Sequence, residues 1–444
     1  MANLITTSIG NFSKDSLEFF IKPIFVDGEL ANEMAVYLDI KTSEKLNQIS
    51  ELSGIVKAYA QGTSFTPSTG VTVTQKTITV SDLKAQVGQN AKVFAKLVEG
   101  AILKKGWAEN DITDTMFEQI LIEMMIKAVK KDTQEIAWFG DAQAEVVTSG
   151  VKTGVADATR NVITGHWTRI IDDFAATTIP AAQRVTMANG AVAQVSTVSV
   201  TGTQGTAGTA NITVMGVTYL LTKGAGVTAA TACTNFVTTH AAALALRDVT
   251  VTASTADLIF TSAIAGVSIG TVEISAALTG DTTGSVSSTT ANTAPAALTT
   301  DEALTAFESM RKAAPDVMLE NKEMLVIYAT RSMVENYKES LQAVGAGEQA
   351  YTATIDGVAR LTWDGIPIIE KASWDTTINT KLAKAYPHRA LLTMKENLIL
   401  GTDGSDDSVN IEFWHNKDDQ ENRMRIEFKM GTEYVHSGYI VAAY

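Results

Sequence analysis

Charge nearly disappears from one stretch of this sequence. Between Arg184 and Asp301 only Lys223, Arg247, Asp248, Asp257, Glu273 and Asp281 are charged, and Thr, Ala, Gly, Val and Ser supply almost everything else. Both flanks have ordinary globular texture. A segment so unlike two similar flanks reads as one domain inserted into another, and insertions settle in surface loops of a host that already folds. Function is therefore read from the flanks. Cysteine is also scarce: Cys233 stands alone, which excludes an internal disulfide framework and any CxxC metal site. None of the seven prolines falls between Pro67 and Pro180, so a long helix is permitted there. No run approaches ~18 uninterrupted apolar residues, so no transmembrane helix is expected. Met1 to Gly10 lacks the basic and apolar regions of a signal peptide. Positive charge is in deficit. A formal net charge of −14 excludes a broad basic face gripping DNA, though not a protein that surrounds DNA.

What is present fits two to three folded domains. The chain has 444 residues, 45% of them hydrophobic and 19% charged. Residues 32–49 suit one or two short helices, with Met34, Leu38 and Ile49 on a loose stripe. From Val71 to Val80 β-branched residues dominate both alternating sets, a strand signal. Gly62, Pro67, Ser68 and Gly70 punctuate the stretch before it. The pattern predicts a two-stranded arm: Gly54 to Ser64 out, a turn at Pro67 to Gly70, and Val71 to Val80 back. Ser81 to Lys104 reads as helical, with Ser81 as its cap.

The clearest helix runs from about Asp111 to Phe139. Phe117, Leu121, Met124 and Ala128 form one stripe, extended by Met125, Ile136 and Phe139, and Ile120 lies on its flank. Glu123, Lys127, Lys130 and Gln134 fall opposite. Asn110 or Asp111 caps its start and Gly140 ends it, giving a rod of roughly 40 Å. The charge-poor segment reads as a small α+β sandwich. It has a hairpin over Ala210–Thr222, an Ala-rich helix over Ala229–Leu246, strands at Val249–Ala253, Asp257–Ser262 and Thr271–Ala276, and a flexible return over Gly280–Ala296. Beyond it come a helix from Thr300 to Lys312, a buried strand at Met324–Tyr328 and a helix over Met333–Leu341. A strand, an Asp364-Gly365 turn and a strand follow through Thr354–Ile369, and further strands run to Tyr444.

No catalytic constellation stands out. His166, His240, His388, His415 and His436 are scattered, without HExxH or HxH spacing. His415 beside Asp418 and Asp419 lacks a second imidazole or thiol, so a solvated turn is the reading. Asp403, Asp406 and Asp407 lack the alternating ligand order and closing Glu of a calcium loop. Gly345-Ala346-Gly347 and Gly224-Ala225-Gly226 lack the Lys-Ser/Thr of a phosphate loop. No cofactor, metal or catalytic residue is assigned, and an enzyme reading has no residues to stand on.

The order of elements resembles the major capsid proteins of tailed bacteriophages, a fold shared with encapsulins and the herpesvirus capsid floor. Gly54 to Val80 resembles the family's extended loop, Asp111–Phe139 ending in AWFGD its spine helix, and LTWDGIPII with the closing RMRIEFKMGTEYVHSGYIVAAY its axial strands. The resemblance implies an α+β capsid fold divided as follows: N-terminal arm 1–53, extended loop 54–80, peripheral domain 81–184 with spine helix 111–139, inserted surface domain 185–299, and axial domain with return strands 300–444. It implies subunit contacts through Phe65, Pro67, Val71, Val73, Ile78 and Val80 of the loop. It also implies a spine core of Phe117, Ile120, Leu121, Met124, Met125 and Ala128, and an axial turn at Trp363, Gly365 and Pro367. The implied role is self-assembly into an icosahedral virion shell, put together in the host cytoplasm. Its partners would be other copies in hexamers and pentamers, a portal, decoration or scaffolding proteins, and enclosed DNA bound without sequence preference. No membrane is involved. A tail tube or sheath protein, another virion surface protein and an encapsulin-type compartment stay open as alternatives.

Overall fold

In a computed structural model the described residues are 29–49, 73–90, 116–187, 190–201, 207–275, 283–343, 352–355, 358–403, 410–416, 418 and 421–444. They form two compact units. The first gathers residues 1–142, 162–175 and 395–437; the second gathers 143–161, 176–394 and 438–444.

In the first unit the long helix spans Met116–Phe139 and stops at Gly140. Its buried face differs from the expected one. Of the expected stripe Met125, Ile136 and Phe139 are buried, but Met124 is 60% exposed and Ala128 is exposed, and Val129 and Thr133 are buried in their place. The face is turned by about one residue, roughly 100°. Thr133 explains the difference. Its hydroxyl donates to the carbonyls of Val129 (2.8 Å) and Lys130 (3.0 Å), so a side chain that reads as polar is satisfied inside the stripe. The side chains of Phe117, Ile120 and Leu121 lie outside the described residues. At the exit a Cβ on Gly140 would stand 2.4 Å from the Ile163 carbonyl oxygen, and one on Gly165 2.6 Å from the Gly140 nitrogen. Only glycines let these backbones touch, and Gly165 N–H donates to Gly140 O there. The next helix, His166–Ala175, buries His166, Trp167, Ile170 and Phe174.

The unit's sheet contains Ala35–Tyr37, Leu398–Gly401, Glu421–Tyr434 and Asn410–Asn416, with Ser81–Asn90 also paired to Glu421–Tyr434. Ser81–Asn90 is thus a strand, against the helix expected over Ser81–Lys104. Its alternation decides it: Leu83, Ala85 and Val87 share one face, Lys84 and Gln86 the other. An unbroken antiparallel ladder from Ser81–Met430 to Asn90–Glu421 fixes the register. Apart from this sheet, Ser43–Ile49 pairs antiparallel with Val73–Thr79 as a two-stranded arm. The Val73–Thr79 strand was expected, but its partner Ser43–Ile49 lies where short helices were expected, held by a seven-pair ladder and not by any alternation of its own. Residues 50–72, including the turn at Pro67 to Gly70, lie outside the described residues.

The second unit is built on a seven-stranded sheet. Its order is Thr352–Ile355, Val358–Trp363, Ile366–Lys371, Leu325–Thr330, Ala390–Met394, Ile440–Ala443 and Arg184–Val185. Leu325–Thr330 is buried along its whole length, as a central strand covered on both faces must be. Helices Glu302–Ala313 and Arg331–Ala343 supply Phe307, Met310, Met333 and Tyr337 to the core beside it.

The charge-poor segment has a separate core. One sheet is Val217–Lys223, Gly208–Val214 and Glu273–Ile274; the other is Val249–Ser254, Asp257–Ser262, Val195–Thr201 and Thr283–Thr290. Helix Ala229–Ala245, capped by Thr228, adds Cys233 and Phe236 to a core with Ile212, Leu221, Leu258 and Phe260. Thr283–Thr290 is a strand, where the sequence suggested a flexible return. Its Ser/Thr/Gly composition hides a full ladder with Val195–Thr201. The neck is closed by a reciprocal pair: Val192 N–H donates to Thr293 O and Thr293 N–H to Val192 O, both at 3.2 Å.

Candidate functional site

The arm is the feature least explained by packing within its own chain. Among the described residues its two strands pair only with each other. Outward along it Glu44, Lys45, Asn47, Val73 and Gln75 are exposed, Val73 at 57%. Its root is the opposite. Ile78 is 0% exposed, and with Val80 and Leu46 it packs on Ile40 and Ile399. Ile78 and Val80 therefore belong to the subunit's own core, which corrects their reading as contacts to a neighbour. Phe65, Pro67 and Val71 lie outside the described residues, and Val73 is the loop residue the structure leaves open to solvent.

A charged cluster at this root was missed in the sequence. Lys76 Nζ sits 3.1 Å from the centroid of the Tyr434 ring and 3.5 Å from Glu433 Oε1. Arg169 Nη1 reaches Glu433 Oε2 at 3.0 Å, and the Tyr434 hydroxyl donates to Asp173 Oδ2 at 2.5 Å. Burial lowers the Lys76 ammonium's pKa, with Glu433 opposing the shift. Burial and then the Asp173 hydrogen bond raise that of the Tyr434 phenol. Three elements thus meet: the arm strand, the His166–Ala175 helix and the long Glu421–Tyr434 strand. The backbones come close as well, since a Cβ on Gly431 would lie 2.2 Å from the Thr79 carbonyl oxygen. One sequence signal was available. Lys76 is the sole charge in the Val71–Val80 run, and a lone cation in a β-branched strand calls for a partner.

The turn expected at Trp363, Gly365 and Pro367 joins two antiparallel strands. Asp364 (φ 51°) and Gly365 (φ 81°) give the two left-handed positions of a type I′ hairpin joining Trp363 to Ile366. Trp363 is buried against Phe307. Pro367 is tolerated because pairing with Leu325–Thr330 begins one residue later, at Ile368, so no ladder donor is lost.

A second charged cluster joins the charge-poor segment to the hairpin of Glu145–Thr148 and Val151–Ala156. Arg247 donates from Nε to Glu145 Oε1 at 2.6 Å and from Nη2 to Oε2 at 2.7 Å. It also donates to the carbonyls of Val214 (3.0 Å) and Met215 (2.8 Å). Burial pushes the Glu145 carboxyl up, but the Arg247 and Gly154 hydrogen bonds outweigh it and hold the pKa below the usual range. Lys152 pairs with Asp248 at 2.5 Å alongside.

An open cleft of about 380 Å³ in the second unit is lined by Pro295–Ala297, Arg331, Ser332, Asp375, Lys384 and His388, among others. A Ser, a His and an Asp meet in it, but not as a catalytic triad. Asp375 bonds to Ser332, not to the imidazole: Oδ2 accepts from Ser332 N–H and Oδ1 lies 3.0 Å from its Oγ. The carboxylate caps the start of Arg331–Ala343. Beside the cleft Ala383, Lys384 and Tyr386 take left-handed backbone angles. The buried Arg389 guanidinium holds this turn by donating to the carbonyls of Tyr386 and Ala385, and burial presses its pKa down to about 9.

No group of three or more metal-ligating side chains occurs among the described residues. His415 Nδ1 lies 3.0 Å from Asn422 Oδ1 across the strand pair, a cross-strand contact. Asp406, Asp407 and Asp419 lie outside the described residues. No helix among the described residues is long and apolar enough to cross a membrane.

No protein-family model matches the chain, and no curated protein matches it. Among solved structures it is similar to a chain of the satellite phage P4 procapsid including size determination (Sid) protein, at 10% identity and TM-score 0.45, covering 100% of this chain and 91% of that one. It is similar to the capsid of cyanophage P-SCSP1u at 12% identity and TM-score 0.39, covering 93% of this chain and 86% of that one. It is also similar to the holo-SrpI encapsulin complex from Synechococcus elongatus PCC 7942, at 8% identity and TM-score 0.40, covering 94% of this chain and 86% of that one.

Proposed function

We propose that this chain is a structural, non-enzymatic shell protein that self-assembles into the icosahedral head of a tailed phage around double-stranded DNA. The observation that carries this reading is the arm. A two-stranded ribbon is marginal in water by itself, yet this one is rooted by buried Ile78 and the Lys76–Glu433–Tyr434 cluster and then runs outward with exposed side chains. A firm root with an unpartnered blade suits an element that lies on a neighbouring copy. The turn at Trp363, Gly365 and Pro367, the long helix and the separately cored charge-poor segment each suit a part of such a subunit. Assembly in the host cytoplasm, a portal and separate decoration or scaffolding proteins belong to the same proposal. The acidic chain encloses DNA without gripping it, since like charge keeps the packaged polymer off the wall.

Electron microscopy of the expressed full chain tests the proposal. Closed shells support it. Tubes select the tail reading, and particles of one to a few subunits overturn both. Nuclease-protected DNA within shells from infected cells separates a phage head from a cargo-holding compartment.

A further inference from the structure

The arm leaves the first unit through three levels of contact. At its base Val80 N–H donates to Thr42 O at 3.0 Å, and the Thr79 backbone lies against Gly431. One level out, Ile78 is buried in the apolar cluster with Ile40 and Ile399. At the outermost level Leu46 and Lys76 stand directly opposite each other in the ladder, and they are held in different ways. Leu46 packs into the same apolar cluster. Lys76 sets its ammonium 3.1 Å from the Tyr434 ring centroid and 3.5 Å from Glu433 Oε1. Beyond this level Asn47, Gln75 and Val73 are exposed.

Both partners of Lys76 are fixed from their far side. The Tyr434 hydroxyl donates to Asp173, and the second oxygen of Glu433 pairs with Arg169 at 3.0 Å. Asp173 and Arg169 belong to one helix, His166–Ala175. Apolar contact is non-directional, so Leu46 and Ile78 lose little when the ribbon rolls or slides over them. A cation over a ring face and beside a carboxylate is held at one place. We infer that Lys76 is a positioning residue that sets the direction in which the arm projects, while the apolar cluster sets where it is anchored. The lever is short. Lys76 and Ile78 are about 7 Å apart along the strand, so about 1 Å of slip at Lys76 swings the ribbon by about 8°. The use of a fixed direction rests on the arm's proposed place on a neighbouring copy; the direction itself does not.

Lys76→Thr tests this. Threonine suits a strand and is too short to reach the ring. It strands no charge, since Glu433 keeps Arg169 and Tyr434 keeps Asp173. The melting temperature should therefore move by no more than about 3 °C. Lys76→Arg returns a cation to the ring and to Glu433. Direction is read by pulsed electron resonance between spin labels on Val73→Cys and Lys131→Cys, both at exposed positions of the first unit, in full-length subunits isolated by gel filtration. The natural Cys233 is buried, which pushes its thiol up to about 11 and leaves the label to the introduced cysteines. One narrow distance distribution is expected with Lys76, one about twofold broader with Lys76→Thr, and a narrow one again with Lys76→Arg. Equal widths with lysine and threonine overturn the inference. So does broadening that arginine fails to reverse, or a melting temperature that falls by more than about 10 °C in Lys76→Thr, which would make Lys76 a support of the fold. Electron microscopy of the unaltered chain keeps the two readings apart: failure to close shells defeats the shell reading, and the label distances still decide this one.

Discussion

Acidification should loosen the first unit through one side chain, His166. It is 0% exposed, and neither ring nitrogen has a hydrogen-bond partner. Its ring lies tilted against Trp138, 5.6 Å between centroids. Burial, with the Arg169 charge as the lesser cause, pushes its pKa from 6.5 down to about 3. The folded state therefore refuses a proton that the unfolded chain accepts, so stability falls as the pH drops below 6.5 and goes on falling towards 3. Linkage puts the loss at about 2 kcal/mol between neutral pH and pH 5, and about 4 kcal/mol by pH 3. The assay is urea unfolding at pH 7 and pH 5 for the natural chain and for His166→Phe. Phenylalanine keeps the ring, removes both unpartnered nitrogens and cannot titrate, so it should be neutral or stabilising at pH 7. The loss on going to pH 5 should be smaller by about 2 kcal/mol in the variant, and because only this difference is read, other titrating groups cancel. Equal losses in the two proteins would refute the reasoning.

Three further outcomes are expected. In a double-mutant cycle of Glu145→Ala and Arg247→Ala, each single change should destabilise by about 3–5 kcal/mol, because each strands a charge whose side chain is only 13% or 9% exposed. The coupling should reach about 2 kcal/mol in urea unfolding; a value near zero would detach the charge-poor segment from the Glu145–Ala156 hairpin. Deleting Thr63–Thr72 should leave circular dichroism and the melting temperature unchanged while abolishing closed particles in sedimentation; a collapsed melting temperature would show that the arm serves its own subunit. Val129→Asp should abolish soluble expression, whereas Met124→Gln should shift subunit stability by no more than about 0.5 kcal/mol. The reverse ranking would turn the helix back to the face read from the sequence.

Legibility tracked how local the deciding physics was. The Asp364-Gly365 turn, the end of the long helix at Gly140 and the Thr228-capped Ala229–Ala245 helix each depend on a few adjacent residues, and the sequence displays them. The partner of Val73–Thr79, Ser43–Ile49, lies some 25–30 residues earlier and shows no alternation, its two apolar residues Leu46 and Ile49 being three apart. Ser81–Asn90 failed for a related reason. Lys84, Ala85 and Gln86 are good helix formers, and only the ten-residue ladder with Glu421–Met430 overrides that propensity. The helix face was misread because Thr133 satisfies its hydroxyl on its own helix, which composition cannot reveal. Of the clusters, only Lys76 was findable as an isolated cation in an uncharged run, since Arg247 has Asp248 beside it. Glu433, Tyr434 and Asp173 were not, since their roles arise from separations of about 260 residues and more.

The boundary that composition draws around the charge-poor segment is not its energetic boundary. The backbone boundary is the Val192–Thr293 pair, where both amides are exchanged and the chain between them closes as a loop. Loop-closure entropy rises slowly with length, so once those ends are pinned a host tolerates a hundred residues about as well as fifty. Side chains draw a wider line. Arg247 reaches outside the loop to Glu145, the Gly216 backbone lies so close to Thr153 that a Cβ would stand 2.4 Å from its carbonyl oxygen, and Val151 packs on the segment's own core. The Glu145–Ala156 hairpin, unremarkable in composition and some forty residues earlier, thus acts as the seat of the domain. Removing the loop at its neck would leave Glu145 without its guanidinium and Val151 bare. The loss of charge marks where the segment's sequence changes, and the Arg247–Glu145 pair ties it to the hairpin beyond that boundary.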